Sequence, residues 1–413
     1  MLDPHGDALM WRRLRSFDRS VQLLMANQLA INTGFYMLMP YLAGHLSGGL
    51  GMAAWTVGLV LGVRNLSQQG LFLLGGTLAD RLGYRQVIIA GCLLRTAGFA
   101  LLGFVDALPA LIVASAMTGF AGALFNPAVR AYVAHDAGER RVEAFALFNV
   151  FYQAGILLGP LIGLALVAVD FRLVCAVAAA VFAMLTVLQL FALPPCRVET
   201  STSGILADWR SVVTNRPFVL FAFAMAGSYV LSFQVYLALP LELGSAGGVG
   251  LIFMVSALVA IAGQLRITDW ARRRWTGEQA ITRGLALMGL AFVPLLVYGS
   301  AAPSTRLAAV LVCTALLALG TALTYPFEMD TVVTLSDDRL VATHYGLYNT
   351  IAGIAIAVGN VVIGRLLDVG WAVPWLVLTV VGLASALAVR LVSVSRSRPA
   401  ERPARTPSAR TES

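Results

Sequence analysis

Between two long apolar runs the chain reads Gly75-Gly76-Thr77-Leu78-Ala79-Asp80-Arg81-Leu82-Gly83-Tyr84-Arg85-Gln86. Twelve residues hold one carboxylate, two arginines and three glycines, in a chain that is 59% hydrophobic and only 12% charged. Alone, the stretch reads as a solvated turn. Its surroundings decide the fold. A soluble chain carries about a quarter of its residues as charges, and this one falls well short. Apolar runs of about 20 residues recur from end to end, each long enough for a helix to cross ~30 Å of hydrocarbon. They lack the ten-residue alternation of a membrane barrel, the other way to satisfy a backbone inside lipid.

The chain therefore reads as an all-α membrane protein of twelve spans. They are expected near 19–43, 53–78, 86–106, 108–133, 142–168, 171–194, 217–243, 246–267, 278–299, 304–332, 341–367 and 371–394. The first run is too long for a cleavable leader. The opening stretch falls between spans 2 and 3.

Its side of the membrane follows from charge. The formal charge is +8, and all 29 basic residues are arginine. They crowd alternate loops: Arg12, Arg13 and Arg15; Arg81 and Arg85; Arg140 and Arg141; Arg197, Arg210 and Arg216; Arg272, Arg273 and Arg274; Arg339; and the tail from Arg396 to Arg410. The opposite loops carry few. This bias predicts that the arginine-rich loops and both termini are cytoplasmic, in the cell's plasma or inner membrane. Such spacing gives no reason to expect a nucleic-acid partner. The four cysteines show no metal or redox spacing.

The longest polar gap, 195–216, divides the spans six and six. The halves resemble each other at a shift near 200 residues. Tyr36-x3-Pro40 answers Tyr236-x3-Pro240, and Leu147-Phe148-Asn149 answers Leu347-Tyr348-Asn349. Gly159 answers Gly359, and Pro127 answers Pro326 one residue out of step. A duplicated six-helix unit accounts for this order, and such repeats point to a transporter whose halves rock about a central site. The expected organisation is a cytoplasmic segment 1–18 with Trp11 as an interfacial anchor, a bundle 19–194, a cytoplasmic linker 195–216, a bundle 217–394 and a disordered tail 395–413.

The opening stretch resembles the signature loop of the major facilitator superfamily, roughly G-x-L-A-D-R-x-G-R-R. Gly76, Leu78, Ala79, Asp80, Arg81, Gly83 and Arg85 match; Tyr84 departs. The resemblance implies a latch between the halves on the cytoplasmic side. Without it, Gly76 still permits close helix approach, Gly83 a turn closed to bulky residues, and Asp80 a place at a helix N-terminus. Span 5 carries Gly155, Gly159, Pro160 and Gly163, similar to the G-x3-G-P-x2-G motif of antiporters in that superfamily; tight helix packing with no transport direction is the competing reading. The stretches Gly62-Val63-Arg64, Gln68-Gln69-Gly70-Leu71 and Asp170-Phe171-Arg172-Leu173-Val174-Cys175 look most like the MdtH group of multidrug-resistance transporters.

A charge inside a membrane costs on the order of 3 kcal/mol at mid-span and needs a reason. Arg64, Arg95, Arg130, Glu328 and Asp330 are such charges. Glu328, with Asp330, Arg64 or Arg130, is the candidate for proton coupling; a structural ion pair is the competing reading. Arg64 could also hold an anionic group, and a structural role is expected for Arg95. Two departures from many family antiporters weaken the usual coupling pair: Ser115 stands where an arginine would precede Gly119, and span 1 offers Asn27, Gln28 and Asn32 but no acid. In the family fold the cavity-lining residues would include Asn32, Tyr36, Gln68, Asn126, Gln153, Tyr229, Gln234, Tyr236 and Tyr348. A mostly apolar cavity with sparse hydrogen-bonding groups suits amphiphilic molecules.

No phosphate-binding loop and no nucleophile–base set stands out, so neither an ATP-driven pump nor an enzyme is expected. The expectation is a monomeric proton-coupled exporter of small hydrophobic or amphiphilic compounds, with no cofactor but the proton gradient and with lipid, protons and substrate as its partners. The alternatives are a proton-coupled importer or facilitator of a metabolite, and a membrane sensor or assembly partner that transports nothing.

Overall fold

The computed structural model describes residues 10, 12–195, 204–243, 246–298 and 302–397. Trp11, most of the expected tail and part of the linker lie outside the described residues. Helices dominate, and no strand occurs among the described residues.

Twelve rods follow one another. Span 1 is Arg19–Gly44, continued by a π-helical turn His45–Gly49; span 2 is Ala54–Gly70 and Phe72–Leu82; span 3 is Tyr84–Phe104. Span 4 is Leu108–Ala137, span 5 Arg141–Val167 and span 6 Phe171–Ala192. Span 7 is Arg216–Phe233 and Ala238–Leu243, span 8 Ala246–Arg274, and span 9 Gly277–Leu290 and Val293–Tyr298. Span 10 is Pro303–Leu335, span 11 Val341–Val369 and span 12 Val373–Ser397. By length and composition, nine helical stretches among the described residues can cross a membrane. One of them, Leu108–Val167, contains spans 4 and 5; spans 1 and 2 are not among the nine. The sequence shows why: span 1 carries Asn27, Gln28 and Asn32, and span 2 carries Arg64, Asn65, Gln68 and Gln69.

Small residues let the rods approach. A Cβ added at Gly155, Gly159 or Gly163 would stand 2.5 Å from Asn32 Cβ, 2.7 Å from Tyr36 Cβ and 2.1 Å from the Met37 carbonyl oxygen, so this stripe of span 5 lies flush on span 1. The Tyr41 hydroxyl donates to the Pro160 carbonyl at 2.6 Å. Span 2 meets span 11 in the same way: a Cβ on Gly76 would lie 2.1 Å from the Ala342 oxygen, and one on Gly346 2.5 Å from the Phe72 oxygen.

These inter-half contacts share one side. We call the side bearing residues 81–85, 138–141, 272–274 and 336–340 the arginine-rich face. From there inward, spans 2 and 11 touch as far as Gln69 and Gly353. Spans 5 and 8 are joined by Asn149, which donates to Gln264 at 2.6 Å. Further along, the same four rods expose Leu66, Leu158, Met254, Leu258, Ile354 and Val358. The halves are thus closed together at the arginine-rich face. Within the polar gap 195–216 a helix, Ile205–Thr214, packs beneath that closure.

Candidate functional site

Two polar centres lie along the seam. The first is at the loop between spans 2 and 3. Gly83 ends span 2 with φ +93°, a conformation that strains any residue with a Cβ. Asp80, 1% exposed, points at the N-terminus of span 11. The Ala342 backbone N–H donates to Oδ1 at 3.1 Å, and the Thr343 N–H and hydroxyl donate to Oδ2 at 2.7 and 2.6 Å. A helix start has unpaired N–H groups and positive potential, so a carboxylate there fills both needs. The turn leading in is strained: Leu340 has φ 50°, ψ 40°, the left-handed region that costs an ordinary side chain about 1–2 kcal/mol. Tyr84, the departure from the motif, donates its hydroxyl to Asp80 Oδ1 at 3.2 Å.

Neighbouring residues tie in the linker helix. Arg81 holds Asp208 at 2.6 Å, and the Trp209 indole donates to Thr77 at 2.8 Å. Arg85 turns the other way and donates to the Leu190 carbonyl of span 6. A further tie joins Arg13, in the N-terminal segment, to Asp269 of span 8 through both terminal guanidinium nitrogens. The charged hydrogen bond that Arg13 donates to Asp269 raises the Arg13 pKa above its ordinary value.

The second centre surrounds Glu328 of span 10, 4% exposed. Tyr229 of span 7 donates to Oε1 at 2.7 Å, and Tyr348 of span 11 donates to the same oxygen. Arg130 of span 4 lies in Coulombic range of the carboxylate and of Tyr325. No ion pair within 4.0 Å joins Arg130 to Glu328 among the described residues, so hydroxyls hold this carboxylate while the arginine acts through space. Toward the other face, Tyr36, Tyr152 and Tyr236 of spans 1, 5 and 7 lie within electrostatic range of one another.

The other candidates sort by position. Arg64 lies beside Tyr36, Gln68 and Arg95, away from Glu328. Asp330 faces Arg141 and Arg272 near the arginine-rich face, so it is not joined to Glu328. Asn32 is buried in the seam between spans 1 and 5, donating to the Tyr152 carbonyl at 2.8 Å. Gln234 is fully buried at the bend of span 7 and donates to the Val230 carbonyl at 2.8 Å. Asn32 therefore meets the tyrosine cluster through the Tyr152 backbone, and the Gln234 amide bonds within its own span. Asn126 and Gln153 are half-buried, and Tyr236 is 47% exposed.

The Major Facilitator Superfamily profile matches residues 24–359. The chain belongs to the Major Facilitator Superfamily. As a superfamily transporter it is a multi-pass membrane protein of twelve spans, in two six-helix bundles. It is 54% identical over 365 residues to an uncharacterized MFS-type transporter of Mycobacterium tuberculosis (strain H37Rv), covering 86% of this chain and 87% of that one. It is 30% identical over 377 residues to the multidrug resistance protein MdtH of Salmonella paratyphi B, covering 89% of this chain and 92% of that one. The human organic anion transporter MFSD10 (TETRAN) shares the fold with a TM-score of 0.72 at 17% identity, covering 90% of this chain and 99% of that one.

Residues that sequence reasoning missed in this superfamily transporter are Tyr152, Tyr325, Thr343, Asp208 and Trp209. One signal was available: Tyr325 stands three residues before Glu328, hence on the same helix face. The others meet the site from separate spans or from the linker.

Proposed function

We propose that the protein exports small hydrophobic or amphiphilic compounds by alternating access, in exchange for protons. The observation that carries this reading is Glu328, a buried carboxylate in span 10 held by two phenol hydroxyls, with Arg130 of the other half in Coulombic range. A membrane-embedded acid without a contact ion pair is suited to exchanging a proton as access alternates, because its charged form depends on its neighbours. The aromatic and apolar surroundings suit amphiphiles, and the similarity to a protein named for multidrug resistance favours export.

In this reading the arginine-rich face is cytoplasmic, and the Asp80 latch closes it, so the described conformation faces outward. A proton entering from outside neutralises Glu328, releases its hold on Tyr229 and Tyr348, and permits the return to the inward-facing state. The test is dye efflux in everted vesicles, wild type against Glu328→Gln, with and without a pH gradient. The expected result is gradient-driven efflux in the wild type only. Efflux that persists in the wild type after the gradient is collapsed would sink antiport; gradient-driven efflux in the variant would sink the assignment of Glu328.

A further inference from the structure

Arg64 of span 2 and Arg95 of span 3 are the membrane charges that the coupling reading leaves unused. Both guanidinium groups sit over one ring: Arg64 Cζ is 5.3 Å and Arg95 Cζ 5.0 Å from the Phe35 centroid. Each lies in the other's field, which is repulsive. Their hydrogen-bond partners are neutral. Arg64 donates to Gln68 Oε1 at 3.2 Å and to Asn65 Oδ1, and Arg95 donates to the Thr118 carbonyl at 3.2 Å. Arg95 Nε is buried and makes no hydrogen bond. No carboxylate among the described residues forms an ion pair with either arginine.

Two positive charges on one ring, from spans 2 and 3, with no counter-charge, form an arrangement that cation–π contacts offset only in part. An anion bound at Arg64 would offset the repulsion and use donor capacity that the neutral partners leave open. Arg64 is the accessible member: it is half-buried and acts on Tyr36, which stands in the tyrosine cluster at the centre. Arg95, 2% exposed and packed against Phe35, Phe125 and Phe182, is the fixed member behind it.

We propose that Arg64, backed by Arg95 and flanked by Gln68 and Phe35, binds the carboxylate of an amphiphilic substrate whose aromatic or apolar body lies along the tyrosine cluster. This deepens the export reading and rests on it for the direction of movement, but not for binding. A planar carboxylate matches the fork of the Arg64 guanidinium. Phe35 supplies an apolar wall next to the charge. The exported species is then anionic, and exchange for an inward proton moves charge in the same electrical sense in both half-cycles.

The test is equilibrium binding to the purified full-length protein, by fluorescence, of 4-(pyren-1-yl)butyrate and of its neutral amide. A charge-assisted hydrogen bond predicts that wild type prefers the acid by about 10- to 100-fold. Arg64→Gln is expected to bring the ratio to about one, while Arg64→Lys retains part of the preference. Arg95→Gln is expected to lower the ratio without abolishing it, and monodispersity on gel filtration separates this from misfolding. Equal binding of acid and amide by wild type overturns the proposal, as does a preference that survives Arg64→Gln. A site taken by chloride, seen as halide-dependent fluorescence change with no preference for the acid, overturns it too. The assay uses no gradient, so the carboxylate site can stand if proton antiport fails, and antiport can stand if the site fails.

Discussion

Asp80→Asn keeps the size of the side chain and removes its charge. In the closed state each carboxylate oxygen accepts two bonds: Oδ1 from Ala342 N–H and Tyr84, Oδ2 from the Thr343 N–H and hydroxyl. Asparagine has one oxygen and presents an NH2 group to the other pair of donors. Whichever way it turns, at least one backbone N–H at the start of span 11 loses its acceptor. A hydrogen bond to a charged group contributes about 1.5–3 kcal/mol, and a carboxylate at a helix N-terminus about 0.3–1 kcal/mol, more when buried. Together these predict a loss of about 2–4 kcal/mol from the closed arginine-rich face, or about 30- to 1000-fold in its population relative to the open one. Spin labels at Leu82 and Asp337, both exposed on that face and on opposite halves, report the change as a distance distribution. The variant should shift toward longer distances and lose transport while still inserting and binding substrate. An unchanged distribution would refute the latch. Failure to insert would reduce the loop to a structural element.

Other substitutions probe the remaining parts. Glu328→Gln should keep substrate counterflow while losing gradient-driven accumulation, measured in the same proteoliposomes. Tyr348→Phe removes one donor to Glu328 and should move the pH dependence of transport, whereas Phe221→Leu, which only loses a ring stacked on Tyr348, should not. Gly163→Ala places a methyl 2.1 Å from the Met37 oxygen and should lower thermal stability in detergent by about 1–3 kcal/mol through overpacking. Asn149→Leu leaves the Gln264 carbonyl oxygen without its donor and should loosen the contact of spans 5 and 8, read as faster cysteine labelling at the arginine-rich face.

The spans were legible because lipid permits few alternatives: an apolar run either crosses as a helix or does not cross. The observed ends differ from the expected ones by a few residues, as with span 8, which runs on to Arg274 where 267 was expected. The break at Leu71 in span 2 follows Ser67-Gln68-Gln69-Gly70, and that at 234–237 in span 7 comes just before Pro240, so each had a local signal, but neither signal sets where the rod bends. The latch loop was legible as a motif, and Gly83 as a turn, because local backbone geometry restricts residue type. Its receptor was not. Ala342 and Thr343 lie some 260 residues away, and nothing in their side chains marks two backbone N–H groups as the partner. The same holds for Tyr152 and Tyr325, ordinary aromatics until separate rods bring them together. An amide in an apolar run reads equally as a lining residue or as a bond inside the bundle: Asn32 donates across the seam of spans 1 and 5, and Gln234 donates back along span 7.

Span 11 links the two polar centres mechanically. Thr343 and Tyr348 are five residues apart on one unbroken helix, about 7.5 Å along its axis. The first is held by Asp80 of the N-terminal half, the second donates to Glu328 of the C-terminal half. Ionised Glu328 anchors span 11 to span 10 through a strong, charge-assisted bond. Neutral Glu328 keeps only an ordinary one, about half as strong. The glycine contacts at Gly346 and Gly353 press span 11 against span 2 without room for small adjustments, so a weaker anchor is felt along the whole rod. On this argument the carboxylate need not touch the latch to govern it. Both bear on one rigid helix, and the energy separating its two positions is the sum of a few bonds, each within reach of a single protonation.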